Sequence, residues 1–348
     1  MKNKKVDAQV ETFQADQVEA LQADQTETLQ VDQIETLKVD QAETPKTDKV
    51  VQHKPVLLNE VLHFLAPQPG KVYVDVTLGG GGHTRAILTS QPDCKVIGMD
   101  WDESVIKTTG AALKAEFPDR FIPVWGNFSK INAALQKIKI NKVDGILADF
   151  GTSQMQISTV AGLSVFNDKY LDMRMSSGLF KVTAQDIIKN ASERELARIF
   201  FDYGEERYGN RIARAIVEAR VKTPIRTTKE LAELIESVVP GGKKKGNKIH
   251  PATRVFQALR IVVNKELENI QSFLVNSLKV LAPDSRVVCI SFHSLEDRIV
   301  KQFFREQSKN PLITTEVLTP RVCTATEEEL AWNRSARSAK LRAMRFDI

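Results

Sequence analysis

From His53 onward the sequence predicts an α/β fold, a parallel sheet with an all-helical insertion. Three observations predict it. Short apolar runs alternate with helical stretches between Val72 and Ala148, the pattern of a parallel sheet with right-handed crossovers. After about Gln154 that rhythm stops, and only helical patterns follow until "RVVCISF" at Arg286–Phe292. The stretch Val72–Thr84, "VYVDVTLGGGGHT", reads as strand, glycine turn and helix start, which presents backbone N–H groups to a nucleotide-like ligand.

The elements follow in chain order. Residues 1–50 hold five octads from Gln9 to Asp48, such as "QVETFQAD" and "QIETLKVD". A helical stripe drifts by about 80° per octad, so no continuous apolar face forms. The tail is therefore expected to be disordered or transiently helical. "VLLNEVLHFLA" is an amphipathic helix ending at Pro67. Strands are expected at Val72–Val76, Lys95–Met99, Phe121–Val124 and Val143–Ala148. Ala184–Lys222 and Thr228–Val239 read as helical, and Pro251 opens one long helix over Ala252–Leu281. The division is thus a tail (1–50), a sheet domain (51–154 and 251–348) and a helical insertion (155–250).

Composition narrows the function. Met1–Gln52 carries 11 acids and 6 Lys/Arg, leaving 33 acids and 43 Lys/Arg in the rest. A basic body under an acidic tail points to a polyanionic partner, nucleic acid first. Cys94, Cys289 and Cys323 are far apart, so neither a disulfide framework nor a zinc site is indicated, and a reducing cytoplasm is the natural location. The five histidines show no metal spacing. No apolar run is long enough to span a bilayer, and "MKNKKVDAQVE" lacks the apolar core of a secretory signal.

A nicotinamide cofactor is disfavoured, because G-x-G-x-x-G fails: the sixth position is Thr84 counted from Gly79 and Arg85 from Gly80. What fits is an acid near each of three strand ends. Asp75 precedes the glycine turn, Asp100 ends "KVIGMD" where a carboxylate bonds ribose hydroxyls, and Asp149 ends the fourth strand. "GNFS" sets Phe128 where an adenine stacks. This is a layout for S-adenosylmethionine.

These stretches, with "HKPVLLNEVL", "TLGGGGHT", "GMDWD", "LDMRM", "HPATRVFQALRIVVNKEL" and "ISFHSLEDRIVKQFF", resemble the MraW (RsmH) family of ribosomal RNA small subunit methyltransferases H. The resemblance runs from His53 to Arg342. It implies a Rossmann-like class I S-adenosylmethionine methyltransferase fold and methylation of N4 of a cytidine in 16S rRNA of the 30S subunit. It also implies cofactor contacts from Gly81, Gly82, His83, Asp100, Phe128, Asp149 and Gln156. The chain departs from the family after the fourth strand: "DFGTSQMQIS" replaces D-L-G-V-S-S-P-Q-L-D, and Ser158 and Ser176 stand where acids are usual. The alternative is therefore a drifted paralogue that binds cofactor and RNA with altered substrate or no catalysis.

For chemistry, Asp149 is the expected acceptor near the exocyclic N–H of cytosine, with Ser153 assisting. The base must be unpaired or flipped. Deamination is disfavoured because H-x-E…P-C-x-x-C is absent. RNA contacts are expected from Lys243, Lys244, Lys245 and Lys248, and from Arg334, Arg337, Lys340, Arg342 and Arg345. Arg254 and Arg260 either line the cleft or form ion pairs. Ser294 is expected to cap a helix. No metal and no membrane partner are expected, and the protein is read as a monomer or homodimer.

Overall fold

The computed structural model describes residues 55–152, 157, 160–241 and 250–347. The tail, Ser153, Gln156, Lys243, Lys244, Lys245 and Lys248 lie outside the described residues.

The first half follows the expected alternation. Helix α1 (Leu58–Leu65) precedes β1 (Val72–Asp75), and the glycine turn leads into α2 (Gly82–Ser90). Then come β2 (Lys95–Asp100), α3 (Glu103–Val105) and α4 (Ala111–Glu116), joined by a π-helical stretch at Ile106–Gly110. After β3 (Phe121–Trp125), α5 (Ile131–Lys137) leads to β4 (Val143–Asp149). These strands are near-continuous apolar runs because helices cover both faces of a parallel sheet. Val74, Ile97 and Ile146 are fully enclosed in the core.

The second half contains α6 (Ala184–Asn190), α7 (Glu193–Asp202), α8 (Gly209–Lys222) and α9 (Thr228–Val238). The expected helical stretch Ala184–Lys222 is thus three helices. Thr183, Ser192 and Thr227 each start a helix by accepting from the backbone N–H three residues on, and the acid there returns the bond. Gly204 lies in the break between α7 and α8, where a Cβ would sit 2.6 Å from the Arg254 carbonyl oxygen. Helices α6 to α9 share an apolar cluster with α10 (Thr253–Val263), built around Leu196, Phe200, Ile212, Leu231 and Leu259.

The long helix expected over Ala252–Leu281 is instead two, α10 and α11 (Glu266–Ser277). The cause is Asn264, which is fully buried. Its amide donates to the Met173 and Arg260 carbonyls, its oxygen accepts from the Met175 N–H, and Lys265 turns left-handed at φ 48°.

Strand β5 (Leu281–Ser291) starts five residues before the expected Arg286. It pairs with β4 through a shift in register between Val143 and Gly145. Helix α12 (Ser294–Gln307) follows, capped by His293 rather than by the expected Ser294. Two strands were not anticipated, β6 (Thr314–Val317) and β7 (Lys340–Asp347), with α13 (Glu327–Trp332) between them.

The sheet is seven-stranded in the order β3-β2-β1-β4-β5-β7-β6. β7 runs antiparallel to both neighbours, while the pairings from β3 through to β5 are parallel. The α/β, Rossmann-like expectation therefore holds. The order reverses direction between β1 and β4, and such a switch point opens a crevice at the carboxyl ends of the strands.

Candidate active site

A cavity of about 470 Å³ lies at that crevice. Gly81, Gly82, His83, Asp100, Phe128 and Asp149 all line it, together with groups from α10, α11 and the start of α12.

The four glycines divide into two pairs. Gly81 has φ 74°, and a Cβ there would meet the Leu113 and Thr109 side chains at 2.8 Å; at Gly82 it would meet the Pro55 ring at 3.0 Å. These two serve the backbone turn and its packing. Gly79, at φ 47°, has only the Thr77 carbonyl oxygen nearby at 3.8 Å, and with Gly80 it lines the cavity. The close approach of a ligand therefore falls to Gly79 and Gly80, which the resemblance did not single out. Asp75, read as the first ligand acid, does not line the cavity. Its carboxylate accepts from the Thr84 hydroxyl at 2.7 Å and the Thr77 N–H at 3.1 Å, so it holds the turn.

Asp100 accepts from the backbone N–H of Gly79 and of Asp102, both at 2.9 Å. Burial nonetheless pushes its pKa up to about 7. Phe128 belongs to an aromatic group with Phe150 and Phe273 and meets Trp101 at 5.5 Å between ring centroids. Trp101 also lines the cavity. The reading missed it, although "GMDWD" places an aromatic directly after the ribose-binding acid.

Asp149 is fixed through its backbone N–H, which donates to the Thr77 hydroxyl at 2.7 Å. Its Oδ1 is buried without a hydrogen-bond partner among the described residues. Oδ2 lies 3.8 Å from His83 Nδ1. Burial, followed by the charges of Asp75 and Glu296, raises its pKa well above the ordinary carboxylate value.

The opposite wall is helical. Arg260 holds Glu266 through two bonds of 2.9 Å and donates to the Thr152 hydroxyl at 3.2 Å, so it both lines the cavity and forms an ion pair. Phe292 N–H donates to Glu296 Oε2 at 2.7 Å. Burial would raise the Glu296 pKa, but His293, this N–H and Arg260 together hold it below the usual value. Glu266, His293 and Glu296 bring ligand atoms within 4.8 Å of one another, a grouping that residue spacing did not reveal. His293 Nδ1 accepts from the Glu296 N–H at 3.4 Å, so Nε2 carries the proton. Glu296 Oε1 lies 3.1 Å from Nε2, but the approach does not make a hydrogen bond, and Nε2 is buried without a hydrogen-bond partner among the described residues.

The cationic run near the C-terminus is largely committed elsewhere. Arg342 pairs with Asp297 at 2.6 Å, and Arg345 with Glu316 at 3.2 Å and Asp284 at 3.5 Å. Lys340 lies 3.9 Å from Asp297. Arg334 and Arg337 are exposed on a 3₁₀ turn whose Ser335 and Ser338 line the cavity. Arg254 donates to the Glu205 carbonyl at 3.4 Å.

These groups fit the cofactor that the resemblance implies. Asp100 offers carboxylate acceptors for a diol, Trp101 and Phe128 offer flat faces, and Gly79 and Gly80 leave the backbone open. The unpartnered Asp149 oxygen suits a neighbouring positive centre or a donor.

The MraW methylase family matches residues 50–347. A ribosomal RNA small subunit methyltransferase H from Syntrophotalea carbinolica is 46% identical over 314 residues, covering 85% of this chain and 98% of the relative. One from Carboxydothermus hydrogenoformans is 46% identical over 306 residues, covering 84% and 96%. The solved structure of an rRNA methylase from Streptococcus thermophilus has a TM-score of 0.38 at 7% identity over 83% of this chain and 92% of that one, too loose to add to the family match.

Proposed function

We propose a function from one premise: the chain belongs to the MraW methylase family. It is an S-adenosylmethionine-dependent methyltransferase, and its target is N4 of a cytidine in 16S rRNA of the small ribosomal subunit. The observation that carries the site assignment is one cavity lined by Gly79, Gly80, Asp100, Trp101, Phe128 and Asp149 at the carboxyl ends of the strands.

Bound S-adenosylmethionine supplies an already electrophilic methyl group on sulfur. The protein's work is then positioning and charge management. Asp100 would hold the ribose hydroxyls, and Phe128 and Trp101 would offer ring faces to the adenine. Gly79 and Gly80 would let the cofactor approach the backbone, with Gly82 and His83 at the start of α2 also lining the cavity. The lone pair on cytosine N4 is delocalised into the ring. Asp149 Oδ1, buried and without a partner among the described residues, would offset this by accepting from an N4 hydrogen.

In this reading residues 155–250 recognise the substrate, supported by their separate apolar cluster with α10. Arg334 and Arg337 sit beside the cavity where RNA phosphates would pass. Among the described residues no helix is long and apolar enough to cross a membrane. With a ribosomal substrate, the enzyme would act in the cytoplasm.

Incubating the protein with tritiated cofactor and 30S subunits lacking the mark should label 16S rRNA, and nucleoside analysis should return N4-methylcytidine. Cofactor binding without transfer to any RNA would overturn the function in favour of the non-catalytic paralogue.

A further inference from the structure

The helical wall of the cavity carries a carboxamide that the fold does not use. Helix α10 presents Thr253, Phe256, Gln257 and Arg260 to the cavity, the i, i+3, i+4, i+7 spacing of one helix face. Arg260 is committed to Glu266 and Thr152, and Phe256 is buried in the apolar cluster of the helical region. Gln257 is half-buried, and its amide makes no hydrogen bond among the described residues. Unlike His293 Nε2, that amide is not sealed off by its surroundings.

Its neighbours fix its place along the helix. Arg260 lies one turn further on, about 4.5 Å along the axis, and donates to Thr152, three residues past Asp149. At the other end, His250 just before α10 meets the Phe166 ring at 5.7 Å between centroids. Phe166 lines the cavity while 82% exposed, which marks the mouth. Gln257 therefore stands between the mouth and the strand end that carries Asp149. Leu163, Val165 and Met175 also line the cavity. Apolar walls with a few placed polar groups are the usual surroundings of a bound ring.

We propose that Gln257 holds the ring edge of the target base, donating from its amide NH2 to N3 or O2. This rests on the methylation of cytidine N4 proposed above. Along one edge cytosine shows a donor, the N4 amino group, beside two acceptors, N3 and O2. Asp149 is assigned to the amino group. The acceptors lose their partners when the base leaves its stack and enters the cavity, and an unmet acceptor there is costly. The uncommitted Gln257 amide is a donor within the same cavity. Its neutrality suits the chemistry. A cation against N3 would draw electron density away from N4 and weaken the nucleophile, whereas a carboxamide holds the ring without a full charge. The arginine of the same helix face is kept from that role by Glu266.

Two variants test this. Gln257→Leu removes the donor, and Gln257→Glu keeps the shape but, when ionised, sets a negative charge against the ring acceptors. With 30S subunits lacking the mark as substrate, both should lose about ten- to a hundred-fold in kcat/KM for the subunit. Calorimetric affinity for S-adenosylhomocysteine and the melting temperature should stay at wild-type values. Gln257→Glu adds a signature that a structural role would not produce. A protonated carboxyl regains a donor, so its kcat/KM relative to wild type should rise as pH falls, while the Gln257→Leu ratio stays flat. Wild-type kcat/KM in Gln257→Leu, a flat ratio for Gln257→Glu, or a matching loss of cofactor affinity would each overturn the assignment. Failure of the wild type to methylate any RNA would instead overturn the function, so the two failures are told apart.

Discussion

On the sheet side of the cavity, acidic groups are left short of partners. On the helical side, nearly every charge already has one. Among the described residues, Asp100 accepts from two backbone amides and Asp149 Oδ1 has no hydrogen-bond partner. Arg260 and Glu266 are locked together, and Glu296 closes the start of α12. The first wall is arranged for a ligand that brings donors and positive charge. The second holds two helices and the strand after them in register. Buried charge thus serves two ends in one cavity, and presence in its lining does not by itself mean contact with ligand.

The contrast breaks most severely at Glu266. Glu266→Ala leaves the Arg260 guanidinium buried and unpaired, which should cost about 3–5 kcal/mol of stability by urea denaturation. Replacing both residues by Met should cost less than that single change, because no orphan charge remains. Equal losses would mean the pair contributes to ligand binding or to a wider network.

Asp100 should behave in the opposite way. Asp100→Ala removes charge-assisted bonds to the ribose worth about 1.5–3 kcal/mol, so cofactor affinity falls by about one to two decades while RNA affinity stays unchanged. The pH dependence has a definite sign. With its pKa near 7, Asp100 is neutral below that pH and accepts the hydroxyls poorly. Cofactor affinity should therefore rise as pH increases through about 7, with proton release on binding below it. Calorimetry at pH 6 and 8 in paired buffers measures both, and a flat profile moves the ribose site elsewhere.

The smallest effect separates the glycines. Gly81→Ala forces a side chain into a left-handed position against Leu113 and Thr109 and should cost about 1–3 kcal/mol of stability. Gly79→Ala is also left-handed, at φ 47°, and should cost about 1 kcal/mol of stability, but with no side chain near its Cβ it should show its main effect in cofactor affinity. Equal binding losses for both would merge the two pairs.

Much of the sheet side was legible in the sequence. Apolar strands that end in acids, and a glycine turn before a helix, are local signals, and Asp100, Phe128 and Asp149 follow from them. What escaped depended on distant partners. The break after α10 comes from Asn264 bonding to Met173 and Met175, and no local pattern announces it. The Arg260–Glu266 pair depends on that break. β7 is buried on both faces, with Leu341 and Ala343 in one apolar cluster and Met344 and Phe346 in another. Its interleaved cations made it look like an RNA-binding run, whereas three of them face Asp297, Asp284 and Glu316.

The place of β7 in the sheet has a consequence for how the enzyme is made. β7 is synthesised after β5 and β6, yet it lies between them. Until it emerges, β6 has no strand to pair with, and β5 presents an open edge beside the strand that carries Asp149. An open edge on a nascent chain invites pairing with other chains. The catalytic crevice is thus flanked by the part of the sheet that closes last. A chain stalled between Val317 and Lys340 would display the glycine turn and Asp100 on a sheet that still lacks its final wall.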